Sequence, residues 1–145
     1  MVLIDTSAWI FALKKNPFLP LKDRIDLLLR EDLIVTFGMV KLELLGGTKT
    51  KEEFDRLKSR LEALYEISTD TILWGVASQL AFKLHRKGLT IPYTDILIAC
   101  AALHSKAILL HADAHFNLLA KHTDLKVESF LSSVQKSSVK KSGMV

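Results

Sequence analysis

The sequence predicts an α/β domain built on a mostly parallel sheet, and three observations carry that expectation. Apolar runs of strand length alternate with segments of helical period along most of the chain. Two of those runs, "VLID" and "AILLHAD", finish on an aspartate, and functional groups of parallel α/β sheets gather beyond the carboxyl ends of the strands. The chain has 145 residues, 49% of them hydrophobic, enough for one proper core and too few for two.

Residues 2–5 form the first expected strand, followed by helices over about 7–14 and about 20–30, the second opening with Pro20, a residue suited to a first helical turn. A short strand at "LIVTF" (33–37) leads into a helix carrying "MVKLELLGG", which the pair Gly46 and Gly47 ends. In "TKTKEEFDRLKSRLEAL", Thr50 and Glu53 have the spacing of a capping box, and the charges fall on an outward face. A weak strand at "YEIS" (65–68) precedes the long helix "DTILWGVASQLAFKLHRKG", stopped by Gly88. The next helix, "IPYTDILIACAALHSK", is apolar on nearly every side and is therefore expected to be buried. The strand "AILLHAD", a short helix "AHFNLLAKH" and an edge strand near "LKVESF" complete the domain, expected at 1–131. The remaining stretch, "SSVQKSSVKKSGMV" (132–145), is rich in serine and lysine with little to bury, and is expected as a basic, mobile tail.

The formal charge of +4 is concentrated in that tail. It holds three of the 20 Lys and Arg and no acid, so the rest of the chain carries 17 bases against 16 acids. A nearly neutral body does not by itself announce a nucleic-acid surface. Cys100 is the single cysteine, set in the apolar run "ILIACAAL", which excludes an intramolecular disulfide and fits a reducing compartment. No uncharged apolar stretch reaches the roughly 18 residues of a membrane span, and the N-terminus lacks the basic start and small-residue cleavage pattern of a signal peptide. A cytoplasmic protein without a membrane segment is expected.

Four acids stand where a purely structural sequence would place something neutral. Asp5 and Asp113 end strands; Glu43 lies mid-helix between Leu42 and Leu44; Asp95 lies in the first turn of the apolar helix, after Tyr93 and Thr94. Each has a local explanation as well. Asp5, Thr6 or Asp113 serves as a helix cap, Asp95 complements a helix dipole with Thr94 as the cap, and Glu43 reaches solvent past its apolar neighbours. Two acids at strand ends and two on helices leaving the same edge also suffice to build one pocket. Two carboxylates about 4 Å apart repel by roughly 4 kcal/mol at an effective dielectric of 20, so such a pocket takes up protons or cations. An oxygen donor set suits Mg²⁺ or Mn²⁺ rather than structural zinc. Beside a phosphodiester, such ions serve hydrolysis.

The stretches "LIDTSAWI", "VKLELLGG", "YTDILIACAAL" and "ILLHADAHFNLLA" resemble the PIN-domain nucleases, most closely the VapC-type toxins of toxin-antitoxin pairs, in the order and at the spacing of that family from residue 2 to about 120. The resemblance implies a three-layer α/β/α fold and a Mg²⁺- or Mn²⁺-dependent endoribonuclease with Asp5, Glu43, Asp95 and Asp113 as its acidic quartet. Asp5 and Asp95 would be the firmest metal ligands, Glu43 a ligand or the group that orients the attacking water, and Asp113 the residue completing the site. It also implies an RNA substrate, a homodimer, and a cognate antitoxin covering the active-site groove. In the family a second acid often follows two residues after the position of Asp113. Here His115 stands instead, which removes one negative ligand.

Other candidates are weaker. Thr6, Ser7 and Thr94 are possible hydroxyls at the pocket rim. His111 and His115 flank Asp113 and could reach a substrate phosphate, while His85 and His104 sit near helix ends, where positive charge is favoured. Trp9, Phe11, Trp74 and Phe82 read as core or interface; Lys14, Lys15, Lys41, Arg86 and Lys87 are candidates for steering RNA. Two alternatives remain within this frame, a housekeeping RNA-processing PIN nuclease and a noncatalytic PIN-like binding module. A nucleotide-binding domain is set aside, because "DTSAWIF" after the first strand contains no glycine for a phosphate loop.

Overall fold

The computed structural model describes residues 1–143. Its strands are β1 (Val2–Ile4), β2 (Ile34–Phe37), β3 (Tyr65–Ile67), β4 (Ile108–His111) and β5 (Val127–Ser129). They form one sheet in the order β3-β2-β1-β4-β5, and every neighbouring pair is parallel. Burial explains the order. β1 is buried throughout, as are β2 and most of β4, whereas the edge strands β3 and β5 stay open to solvent over part or all of their length. Strands covered on both faces are apolar along nearly their whole length, as "VLI" is throughout and "IVTF" is but for the buried Thr36, whereas "VES" is not.

Eight helices flank this sheet among the described residues: α1 (Thr6–Leu13), α2 (Leu19–Arg30), α3 (Gly38–Gly46), α4 (Lys51–Glu62), α5 (Thr71–Arg86), α6 (Tyr93–Ser105), α7 (Ala114–His122) and α8 (Leu131–Gly143). The three-layer α/β/α architecture expected from the resemblance is the one observed. None of these helices is long and apolar enough to cross a membrane. The apolar helix expected around "DILIACAAL" is α6, with seven consecutive buried residues from Ile96 to Ala102. Its Cys100 is fully buried, and burial pushes the thiol up to about 11, so it is an inert core residue.

Local signals mostly act as the sequence suggests. Thr50 Oγ1 accepts from the Glu53 amide at 3.1 Å, but the Glu53 carboxylate accepts from the Lys49 amide at 3.1 Å, one residue before the usual reciprocal partner. Asp70 caps α5 by accepting from the Leu73 amide at 2.8 Å, and Gly88 closes that helix at φ 76°. Two expectations are corrected. β1 stops at Ile4 and β4 at His111, so Asp5 and Asp113 are the residues that cap the following helices rather than the last residues of strands. Thr94 does not cap α6, which starts from Pro92 without a side-chain cap. The stretch expected as a basic, mobile tail lies in helix α8 as far as Gly143, where Leu131 and Val134, three residues apart, form one half-buried stripe; positions 144–145 lie outside the described residues.

The sheet order places the functional edge. From β1 the chain moves outward through β2 and β3, then returns to the other side of β1 for β4 and β5. The connections therefore diverge between β1 and β4, the point where parallel α/β sheets open a crevice beyond their carboxyl ends.

Candidate metal centre

Asp5 leaves β1 directly into this crevice, and its amide still donates to the Leu110 carbonyl of β4 at 2.9 Å. As the N-cap of α1 it accepts, on Oδ2, from the Ser7 amide at 2.9 Å and from Ser7 Oγ at 2.6 Å. Ser7 Oγ accepts in turn from the Ala112 amide at 3.0 Å. One hydroxyl thus ties the ends of the two strands that border the crevice. Asp5 is only 3% exposed. Burial raises its carboxyl above the usual 3.8; the Ser7 hydrogen bonds oppose the rise, and the charge of Glu43 adds to it.

Asp113 enters from the other side of the crevice and caps α7, its Oδ1 accepting from the His115 amide at 2.8 Å. The Asp113 amide donates to His111 Nδ1 at 3.1 Å. His111 is fully buried and its ring is pushed down to about 4, burial outweighing the attraction of Asp113. It is therefore a neutral imidazole that accepts at Nδ1 and fixes the turn. That makes it structural, not a phosphate contact.

Asp95 comes from the first turn of α6. Its Oδ2 lies 3.0 Å from His115 Nδ1, and the same nitrogen lies 3.2 Å from Asp113 Oδ1. Ligand atoms of Asp95, Asp113 and His115 all fall within 4.8 Å of one another. The Asp95 carboxyl is pushed up to about 6, first by burial, then by the charges of Asp113 and Asp5, with His115 pulling the other way. Asp5 and Asp113 do duty as caps and so have a structural reason to be acidic. Asp95 caps nothing, and it carries the burden of two like charges.

Glu43, on α3, is exposed and accepts from Thr6 Oγ1 at 2.9 Å. It stands at the lip between the other acids and a groove of about 920 Å³ whose walls include Ile10, Lys14, Lys15, Lys49, Arg56 and Arg60. All four predicted acids thus belong to one electrostatic neighbourhood: Glu43 acts on Asp5, and Asp5 and Asp113 act on Asp95. The tight triad, however, is Asp95, Asp113 and His115, with Asp5 and Glu43 outside it. Two carboxylates and an imidazole suit a divalent ion that accepts oxygen and nitrogen, and the raised Asp95 carboxyl is the mark of a pocket short of positive charge.

His115, which stands in the sequence as a lost acid, is a member of the cluster. The available signal was position: two residues after a capping aspartate, a side chain belongs to the same first helical turn. Of the other candidates, Trp9 is core and Phe11 packs against it, while Trp74 and Phe82 are exposed and border a second cavity of about 570 Å³ with Tyr93. Lys14 and Lys15 do line the groove. Lys41 is engaged with Glu66 at 2.9 Å, and Arg86 lies over the Phe82 ring at 5.7 Å.

Comparison with known proteins adds an independent line. The family model described as PIN domain matches residues 2–122, a span that includes Asp5, Glu43, Asp95 and Asp113. Ribonuclease VapC11 of Mycobacterium tuberculosis is 28% identical over 133 residues, covering 90% of this chain and 99% of the relative. Ribonuclease VapC2 of Rickettsia felis is 30% identical over 115 residues, 74% of this chain and 83% of the relative. Among solved structures, VapBC2 from Rickettsia felis bound to a DNA fragment from their promoter superposes with a TM-score of 0.74 at 25% identity, over 89% of this chain and 98% of that one.

Proposed function

The chain belongs to the PIN domain family, and from that premise we propose that it is a VapC-type toxin, an endoribonuclease that depends on Mg²⁺ or Mn²⁺ and is silenced by a cognate antitoxin. The observation that carries the reading is the position of Asp95, which caps nothing and whose ligand atom lies within 4.8 Å of those of Asp113 and His115, where burial and the charges of Asp113 and Asp5 push its carboxyl up. Full-length relatives that are ribonucleases support the substrate class, and the basic wall of the groove supports a polyanion approaching Glu43.

In this reading Asp5, Asp95 and Asp113 would hold the divalent ion, which would supply Lewis-acid charge at the scissile phosphate. Lys14, Lys15, Arg56 and Arg60 hold the flanking phosphates along the groove. Glu43, free at the lip except for the Thr6 hydroxyl, orients the attacking water and takes its proton. Ser7 fixes the Asp5 carboxylate so that its direction survives the repulsion of its neighbours. The antitoxin covers the same groove, where a basic side chain reaching the acids relieves the repulsion that the ion otherwise relieves. A cytoplasmic location and a homodimer complete the proposal.

The deciding experiment is cleavage of total cellular RNA by purified protein freed of antitoxin, with Mg²⁺ or Mn²⁺, beside an EDTA control and the Asp95→Asn variant. Discrete cuts that need the ion and vanish in the variant are expected. Equal cutting by the variant would trace the activity to a contaminant, and intact RNA under both ions would remove the nuclease reading and favour a binding module.

A further inference from the structure

We propose that His115 is itself a ligand of the metal, so that this centre is a mixed oxygen and nitrogen site selecting a first-row transition ion over Mg²⁺; the inference rests on the metal-dependent reading above. His115 Nδ1 lies 3.0 Å from Asp95 Oδ2 and 3.2 Å from Asp113 Oδ1. An ion that holds its ligands octahedrally at about 2.1 Å keeps adjacent donor atoms roughly 3.0 Å apart. His115 Nδ1 already keeps that spacing to both carboxylates, and the three ligand atoms all lie within 4.8 Å of one another. At these distances the metal-free pair is held by a proton on Nδ1; with that proton gone and Nε2 protonated, the Nδ1 lone pair would face the two carboxylates, and an ion would sit where the proton had been.

The ring is also held in place from its backbone. His115 is the second residue of α7, and its amide donates to the Asp113 carboxylate at 2.8 Å, so the residue that would share the ion also orients the histidine. The other nearby imidazole does not compete. His111 is fully buried, and its Nδ1 already accepts from the Asp113 amide.

The consequence is selectivity. Mg²⁺ is a hard ion that prefers oxygen ligands and parts reluctantly with water, whereas imidazole nitrogen raises affinity for the first-row transition ions. A second acid at position 115 would keep the donor set all-oxygen and favour Mg²⁺; the imidazole tilts it the other way.

The test is Mn²⁺ binding to the metal-free protein, followed by loss of the free-ion electron paramagnetic resonance signal and by nitrogen modulation of the bound ion, with Mg²⁺ measured by competition. Wild type is expected to show nitrogen modulation, which His115→Ala and His115→Asp lose. His115→Ala should weaken Mn²⁺ by about tenfold or more while changing Mg²⁺ by less than about threefold, and His115→Asp should lower the preference for Mn²⁺ over Mg²⁺ by about tenfold. Mn²⁺ bound without nitrogen modulation, or with modulation that survives both substitutions, overturns the inference and leaves the nuclease reading standing. Failure of both ions to bind the wild type would sink both the inference and the metal-dependent reading.

Discussion

Asp95 shows how a single residue couples the site to stability. Its carboxyl binds a proton more tightly in the folded chain, at about 6, than at its ordinary value of 3.8. A raised acid contributes stability that is fully present below the unfolded value and is lost as the pH rises through the folded one. The metal-free protein is therefore expected to become less stable between about pH 4 and pH 6, by an amount on the order of 1–3 kcal/mol for this group. Asp5 is shifted in the same direction by burial and adds to the trend. Asp95→Asn keeps the shape and removes the charge, so at pH 7 without metal the variant should be more stable than wild type, with a flatter pH profile. Denaturant unfolding of both proteins at pH 4.5 and 7 in EDTA checks this. A variant less stable than wild type at pH 7 would mean that Asp95 contributes more through its contact with His115 than it costs through repulsion.

At the scale of elements, three helices end in the same way and only one does so with the residue that suits it. After α5, the Leu89 amide donates to the Leu84 carbonyl and the Gly88 amide to that of His85, the paired bonds of a Schellman ending with Gly88 at φ 76°. The same pair of bonds closes α2 around Asp32 at φ 55° and α6 around Lys106 at φ 54°. Left-handed backbone disfavours a residue with a Cβ, and Lys106 is exposed and free of a contrary packing demand. Lys106→Gly is therefore expected to stabilise the protein by about 0.5–1 kcal/mol and Gly88→Ala to destabilise it by about 1 kcal/mol or more, both read from thermal unfolding. Equal and opposite signs from those stated would show that packing, not backbone conformation, sets these ends. The same comparison explains which elements were legible. Gly88 and the Thr50 cap announce themselves by residue type, and α6 by an apolar run too long for a strand. The ends at Asp32 and Lys106 carry no such mark, and α8 was missed because serine and lysine conceal a stripe only two apolar residues long.

At the scale of the whole molecule, the acids were legible because each broke a local rule, while their grouping was not, because it depends on sheet order. Asp5 and Asp113 are 108 positions apart in the chain and reach the same crevice only because β4 pairs with β1; no periodicity within either segment states that pairing. His115 was hidden for the same reason, since its ring acquires meaning only when α6 brings Asp95 beside it. One consequence belongs to the assembled domain alone. Ions and protons compete for the same carboxylates, so a divalent ion should stabilise the fold, and should do so less as the pH falls. At a concentration of Mn²⁺ about 100 times its dissociation constant, mass action contributes roughly 2.7 kcal/mol, a rise of several degrees in Tm for a domain of this size. The rise is expected to be full at pH 7.5, where Asp95 is ionised, and clearly smaller at pH 5, below its value of about 6, because there the ion must displace a proton. Asp95→Asn should abolish most of it at either pH. Scanning calorimetry with and without Mn²⁺ at the two pH values provides the measurement. A shift of equal size in wild type and variant would place the stabilising ion on other surface carboxylates, and the crevice between β1 and β4 would then lose its claim to be where metal and fold are coupled.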